Sequence, residues 1–136
     1  AILSYVSLAD ISWQAGGEDV GLRDQMRKGS SELIILSLLL DEPKYGYQIT
    51  QELHERTDGY FDMKEGLLYP TLHRMERDGL VASEWLTVVG KRRRKYYRVT
   101  ELGRTALDSQ TKEWRAFTTS LMSLLDSPSK APEGST

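Results

Sequence analysis

Residues 62–79 have the sequence DMKEGLLYPTLHRMERDG, which predicts an amphipathic helix. Leu68, Leu72 and Met75 recur at helical spacing, so they form one apolar stripe that faces a core. Gly79 ends the pattern, because glycine readily adopts the left-handed conformation that closes a helix. The polar residues off this stripe are expected to face solvent or a partner.

Two signals disagree about where this helix starts. Asp62 and Glu65 have the spacing of a capping box. A helix starting there would hold Pro70 in its interior at a cost of about 3 kcal/mol, because proline has no backbone N–H and its ring clashes with the preceding turn. Proline in a first turn costs little. We therefore predict that the regular helix starts near Leu67, after a looser turn.

Two further helices are expected before this segment. Ser30 is a favourable N-cap for the first, whose apolar run at residues 33–40 covers nearly all faces and predicts burial. Pro43 ends it, since the residue before a proline avoids helical geometry. The second helix is expected at about residues 47–57, where an Asp-Gly pair follows as a C-terminal stop.

A β-hairpin is expected after the third helix. Residues 80–89 and 95–99 are rich in β-branched and aromatic side chains, and they flank a Gly-led basic tip at 90–94. The tip is long for a two-residue turn, so we predict a loop of several residues. Tyr96 and Tyr97 must point to opposite faces of their strand, so one is core and the other exposed. The pattern does not say which.

The charge is unevenly distributed along the chain. The 136 residues carry 18 Lys and Arg against 20 Asp and Glu. The resulting net charge of −2 does not by itself indicate that the protein binds nucleic acid. Yet residues 91–95 are five consecutive cations, Arg98 follows, and no acid lies between Glu84 and Glu101. Adjacent cations repel one another, which favours an anion-binding role. The alternative is a solvated loop.

Thr100 and Glu101 are expected to cap a long last helix, which runs from Thr100 to Leu125, about 39 Å at ~1.5 Å per residue. Its apolar side chains follow a heptad pattern, which is typical of helices that pair. So long a helix with so narrow a stripe predicts homodimerisation, the alternative being packing on its own domain. The predicted dimer interface comprises Leu107, Trp114, Phe117, Leu121 and Leu124.

The element order is that of a winged helix-turn-helix, a mainly α fold with a small β-hairpin (α+β). Three motifs carry a closer resemblance: YGYQI at 45–49, Gly-x-Leu-Tyr-Pro within 65–80, and Arg-x-Lys-Tyr-Tyr with Thr-Glu-x-Gly within 90–103. Together they resemble the PadR family of transcriptional regulators over about residues 26–125. The resemblance implies a DNA-binding homodimer, usually a repressor, and the single C-terminal helix is similar to the short type.

These patterns divide the chain into four parts. Residues 1–25 are an N-terminal extension that the resemblance does not account for, and residues 26–99 form the winged-helix DNA-binding domain. Residues 100–125 form the C-terminal dimerisation helix, and residues 126–136 are expected to be a flexible tail.

The expected DNA contacts fall into three groups. The resemblance places contacts at the start of the third helix, and polar side chains off its stripe suit a major groove. The β-hairpin at residues 80–99 is the wing, and its cations suit phosphates or the minor groove. Cations before the first helix are expected to add phosphate contacts. Tyr69 is also open to interpretation as a half-buried packing residue. The full set is Arg27, Lys28, Lys64, Gly66, Tyr69, Pro70, Thr71, Arg74, Lys91, Arg92, Arg93, Arg94, Lys95 and Tyr96.

The predicted function is a sequence-specific transcriptional regulator, a repressor that binds an inverted-repeat operator on double-stranded DNA as a homodimer. Three alternatives stay open. The first is a ligand-responsive regulator of efflux or detoxification genes, since in some family members a planar aromatic molecule enters the dimer beside the counterpart of Trp114. The second is a clock-gene repressor similar to the cyanobacterial regulator Pex. The third is a winged-helix adaptor that binds proteins.

Several function classes are excluded by what the sequence lacks. The absence of cysteine removes disulfides, thiolate catalysis and Cys-ligated zinc, and two histidines are too few for a His-only metal site. There is no Gly-rich phosphate loop and no serine nucleophile elbow, so we expect no enzyme, no metal and no cofactor. No apolar stretch spans a bilayer and no signal peptide opens the chain, so a cytoplasmic protein without membrane contact is expected.

Overall fold

The computed structural model of the protein describes residues 21–87, 90 and 92–127. The described part folds into a mixed α+β structure, which confirms the predicted fold class, and its three strands form one antiparallel sheet in the order β1-β3-β2. The elements are α1 (Leu22–Leu38), β1 (Lys44–Tyr45), α2 (Gly46–Arg56), α3 (Glu65–Arg77), β2 (Val81–Thr87), β3 (Arg93–Val99) and α4 (Glu101–Asp126). Most of the predicted extension and tail lies outside the described residues.

One apolar core joins the first three helices, the sheet and the start of α4. The stripe predicted for α3 is fully buried and packs between the other two helices and the strands. Because each element contributes only one face to this core, the opposite faces of α3 and of the sheet stay available. The core side chains include Ile35, Leu36, Ile49, Leu53, Leu68, Leu72, Met75, Val81, Tyr97 and Leu107.

The first helix starts earlier than predicted. Its N-cap is Gly21 and not Ser30, so the helix crosses the expected boundary between residues 25 and 26. The Ser30 hydroxyl donates to the Met26 carbonyl at 2.8 Å, one turn back in the same helix. A serine side chain can satisfy itself in this way inside a helix as well as at its start, so its presence did not mark the boundary.

The third helix also starts earlier than predicted, at Glu65 with Lys64 as N-cap, and no side chain caps it. Pro70 therefore lies inside the helix, where it cannot donate to the carbonyl of Gly66. Both residues are exposed, so water can satisfy that carbonyl, and Gly66 offers no side chain to crowd the ring. Burial of the stripe on the opposite face offsets the remaining cost.

The sheet has one strand more than the predicted hairpin. β1 pairs with β3, with Lys44 opposite Tyr97 and Tyr45 opposite Tyr96. Tyr97 is the core residue, only 2% exposed, and burial raises the pKa of its hydroxyl. Tyr96 lies on the other face, where its ring meets Tyr45 edge-on at 5.4 Å. A two-residue strand is too short to leave a periodic signal in the sequence.

A buried lysine holds the turn between α1 and α2. Lys44 is 2% exposed, and its ammonium donates to the Leu38 carbonyl at 2.6 Å and to Asp41 at 2.7 Å. Glu52 of α2 adds a second carboxylate at 3.3 Å. The hydrogen bond from Lys44 holds the pKa of Asp41 below its ordinary value. These partners compensate the desolvated charge, a role that the sequence pattern did not reveal.

The Thr-Glu-x-Gly motif joins α3, the sheet and α4. Thr100 caps α4 as predicted: its hydroxyl oxygen accepts from the Gly103 N–H at 3.0 Å. The same hydroxyl donates to the Gly79 carbonyl at 2.7 Å, just after α3. Gly103 passes so close to Leu80 that a Cβ would lie 2.1 Å from the Leu80 carbonyl oxygen. Only glycine permits this approach, so the motif fixes how α4 leaves the domain.

Candidate nucleic-acid interface

The outer face of α3 is exposed along its whole length. Gly66, Pro70, His73 and Arg77 recur at helical spacing opposite the buried stripe, and all four are exposed. The residue-level prediction included Gly66 and Pro70 in the site but left out His73 and Arg77. The same periodicity that found the stripe could have found them, since they lie half a turn away from it.

Tyr69 lies on the flank of α3 that faces the sheet. Its side chain is half-buried, and its ring packs on Gly46 so closely that a Cβ there would lie 2.2 Å from the Tyr69 hydroxyl oxygen. The Tyr-Gly-Tyr and Leu-Tyr-Pro motifs therefore meet in the folded chain. The packing interpretation of Tyr69 therefore holds, although its exposed part still borders the groove between α3 and the sheet.

The prediction that the Thr71 side chain contacts DNA is wrong. Thr71 is 2% exposed on the core side of α3, between Leu68 and Leu72 in the buried set. Its hydroxyl donates to the Leu67 carbonyl at 2.7 Å. A threonine can enter a helical core because that bond within the helix satisfies its polar atom. Its side chain cannot reach a base edge.

Arg74 lies on the flank of α3 that faces α1. Its guanidinium is 3.4 Å from a carboxylate oxygen of Glu32, and the other oxygen of Glu32 accepts from Gln110 of α4. Arg74 is 45% exposed, so the pair is a surface contact that ties three helices together. It lies outside the Gly66–Arg77 face, which makes it a weaker candidate for base contact than predicted.

Two of the predicted cations lie inside α1 and a third is the N-cap of α3. Arg27 falls inside α1 and is paired with Asp24, so its charge is largely neutralised. Lys28 is exposed on the same helix, and Lys64 is exposed at the N-cap of α3. Lys64 is therefore the one of these three that the fold places beside the outer face of α3.

The wing carries cations on both faces of the sheet. Arg92 and Arg93 are exposed, whereas Arg94 and Lys95 are half-buried. The guanidinium carbon of Arg94 lies 4.3 Å from the ring centre of Tyr45, on the same face as Tyr96. Lys91, the first cation of the run, lies outside the described residues.

The other face of the wing turns towards α3. Arg93 lies 5.1 Å from the ring centre of Trp85, and the Lys95 ammonium is 3.8 Å from Glu76 of α3. A groove of about 400 Å³ separates the helix from the wing on this side. Its lining combines aromatic and cationic residues, chiefly Tyr69, His73, Trp85, Arg93 and Lys95. This composition suits a polyanion.

The residues of the predicted dimer interface, which form an apolar seam along α4, fall into a buried part and a more exposed part. Leu107 is only 7% exposed because it packs in the core of its own domain, so its assignment to the subunit interface is wrong. Further along α4 the seam is uncovered in the single chain: Phe117 is 57% exposed and Leu124 is 75% exposed. Leu121 is exposed as well, and Trp114 is half-buried with its ring edge-on to Phe117 at 5.7 Å.

The hollow beside Trp114 does not form an enclosed ligand site in the single chain. It measures about 220 Å³, and in the part of the chain that the structure describes only Glu113, Trp114 and Phe117 line it. Over the same residues, no cluster of three or more His, Asp or Glu side chains is placed to hold a metal. None of the described helices combines the length and the apolar character that crossing a membrane requires.

The helices α2 and α3 with the basic wing define a winged helix-turn-helix, the arrangement of many transcriptional regulators. Comparison with known proteins identifies the family of regulators to which the chain belongs. Residues 35–109 match the transcriptional regulator PadR-like family, and the chain belongs to that family.

Relatives and solved structures agree with this membership. A transcriptional regulator of Mycobacterium tuberculosis is 43% identical over 83 residues, which are 61% of this chain and 74% of that protein. A transcriptional regulator from Clostridium thermocellum superposes with a TM-score of 0.68 at 30% identity, over 76% of this chain and 99% of the other. A PadR-like regulator from Bacillus cereus gives a TM-score of 0.66 at 30% identity, over 76% and 98%.

Proposed function

We propose that this protein is a sequence-specific regulator that represses transcription by binding double-stranded DNA as a homodimer in the cytoplasm. The observation that carries the proposal is the position of the basic wing beside the exposed face of α3. A helix of this kind fits the major groove while the wing meets the backbone next to it. A protein-binding adaptor has no use for cations at this position, so the adaptor is the second choice.

The outer face of α3 supports base reading. Gly66 and Pro70 are compact, so the helix can approach the DNA closely at its N-terminal end. His73 and Arg77 follow on the same face and supply hydrogen-bond donors for base edges or phosphates. Lys64 adds a cation at the N-cap, where the helix dipole also favours a phosphate.

The uncovered part of α4 supports the homodimer. Phe117, Leu121 and Leu124 lie on one stripe, and an exposed apolar stripe of this kind is typical of a subunit interface. A second copy of the chain is the occupant that we propose, because two copies related by a two-fold axis present two recognition helices to an inverted repeat.

Salt dependence of DNA binding tests the proposal. A variant with Arg92, Arg93 and Arg94 changed to Ala should bind specific and random duplexes more weakly by similar factors. Its log–log salt slope should flatten by roughly 0.9 for each phosphate that the variant no longer neutralises. Arg115 is an exposed cation on α4 and serves as the control, since Arg115→Ala should keep the full slope. A wing variant with an unchanged slope would overturn the phosphate role, and wild-type protein that binds no duplex at low salt would favour the adaptor.

A further inference from the structure

We propose that Trp85 is a positioning residue, whose ring holds the guanidinium of Arg93 ready for a DNA phosphate. The inference rests on the DNA binding proposed above. In the sheet register Trp85 lies opposite Lys95 and Thr87 lies opposite Arg93, so Trp85 and Arg93 are diagonal neighbours on one face. Their separation of 5.1 Å is within the range of a cation–π contact.

Arg93 is held differently from three other cations of the predicted site. Arg27, Arg74 and Lys95 each pair with a carboxylate, which neutralises much of their charge. Within residues 21–87, 90 and 92–127, no carboxylate lies within ion-pair distance of Arg93, and the ring of Trp85 is its partner. A ring orders the guanidinium but leaves its charge and its N–H groups available to an anion.

Core packing does not explain the presence of Trp85. Trp85 is 55% exposed, and it borders the groove between α3 and the wing. Arg94 repeats the arrangement on the opposite face of the sheet, where its guanidinium lies 4.3 Å from the ring centre of Tyr45. The wing therefore presents two adjacent arginines, each on its own aromatic ring.

Prior ordering of a long side chain raises affinity, because less conformational entropy is lost on binding. A cation–π contact at an exposed site corresponds to a change in Kd of about two- to fivefold. We expect this loss for Trp85→Leu, which keeps an apolar side chain but removes the π face. Trp85→Phe should bind nearly as tightly as wild type. Leu86→Ala, which truncates an exposed apolar side chain on the other face of the same strand, is the control.

A double-mutant cycle separates positioning from direct contact. Fluorescence anisotropy on a labelled random duplex at one salt concentration gives Kd for wild type, Trp85→Leu, Arg93→Ala and the double variant. If Trp85 acts through Arg93, Trp85→Leu should have no further effect once Arg93 is alanine. An equal loss in both backgrounds would show that Trp85 touches DNA itself and would overturn the proposal. So would a Trp85→Leu variant that binds as wild type does.

A measurement on the free protein keeps this inference distinguishable from the proposed function. Nitrogen relaxation at Nε of Arg93 should report an ordered side chain in wild type and Trp85→Phe, and a disordered one in Trp85→Leu. A disordered Arg93 in a wild-type protein that binds DNA would overturn the positioning role alone. An ordered Arg93 in a protein that binds no duplex would overturn the proposed function, and with it the purpose of the contact.

Discussion

Gly103 has no Cβ, and this allows the close packing where α4 leaves the domain. At this position the first turn of α4 crosses the chain that leaves α3, and a Cβ would meet both the Leu80 carbonyl and the Val99 side chain. The Leu80 backbone cannot move without disturbing Thr100, whose N–H donates to the same carbonyl. The close approach is therefore rigid on both sides.

We predict that Gly103→Ala lowers the free energy of unfolding by about 1–3 kcal/mol, the usual cost of overpacking a rigid site. Urea denaturation measures the change. Gly29 is the matched control, because it lies in the interior of α1 with open space where a Cβ would go. Gly29→Ala should stabilise the protein by up to about 1 kcal/mol, since alanine is the better helix former. Equal effects of the two variants would contradict this account.

His54 and Asp62 form an exposed pair between the end of α2 and the segment before α3. The His54 ring nitrogen Nδ1 lies 2.7 Å from the carboxylate, which raises the pKa of His54 above its ordinary value of 6.5. Glu55 and Asp58 raise that pKa further through their charges. A raised pKa in the folded state means that protonated His54 stabilises the fold.

This stabilisation is fully present below pH 6.5 and is lost as the pH rises through the pKa of His54 in the folded protein. We therefore expect His54→Gln to be less stable than wild type in the acid range, with the difference disappearing at alkaline pH. Urea denaturation across this range measures it. In a proton NMR titration, Asp62→Asn should return the pKa of His54 towards 6.5. A stability difference that does not change with pH would refute the pairing.

In the proposed DNA complex, α3 and the wing have different parts in recognition. We expect the wing cations to contact the DNA backbone, which is alike in every sequence, and the outer face of α3 to carry the side chains that read bases. Arg77 lies on that outer face and Arg74 lies on the flank, where it pairs with Glu32. The two arginines therefore form a matched pair for testing which face of the helix enters the groove.

We predict that Arg77→Ala weakens operator binding by about 1–3 kcal/mol and random-duplex binding by less, so that specificity falls. Arg74→Ala should change the ratio of the two affinities little, because Arg74 lies outside the outer face. Competition binding at one salt concentration measures both, with an operator obtained by selecting genomic fragments. A larger loss of specificity from Arg74→Ala would place the flank, and not the outer face, in the groove.

In the proposed homodimer, the second half of α4 forms the subunit interface. We expect Leu121→Glu to break the homodimer, because it would bury an unpaired charge at a cost of several kcal/mol. Sedimentation should show dimeric wild type at micromolar concentration, a monomeric variant and weaker DNA binding. Thr119 lies on the far side of the heptad pattern, so Thr119→Glu should leave the dimer intact. A monomeric wild type would contradict the proposed assembly.

In the proposed homodimer, two-fold symmetry would determine the arrangement of the operator. Two equivalent copies of α3 should occupy major grooves about one helical turn apart, roughly 10 bp between half-site centres, or a multiple of that spacing. Footprinting on a selected operator should therefore reveal an inverted repeat protected over both halves. A single asymmetric half-site occupied by one subunit would exclude this geometry.

Most of the elements, and the apolar face of each, follow from the sequence, because helical and strand periodicities are local properties. The predicted stripe of Leu68, Leu72 and Met75 is confirmed, as is the cap at Thr100. Periodicity also implies the outer face of α3, although the predicted site includes only part of it. The basic run predicts an anion-binding wing, since a cluster of adjacent charges is visible without a fold.

Which faces are covered, and by which neighbour, depends on the packing of the whole fold. Packing buries Lys44 against two carboxylates, places Thr71 in the core, turns Arg74 towards Glu32 and draws Leu107 into its own domain. It also pairs a two-residue strand with β3, which assigns Tyr97 to the interior. Most of these outcomes depend on contacts between residues far apart in the chain. Such contacts form only when separate elements pack together, so no local pattern encodes them.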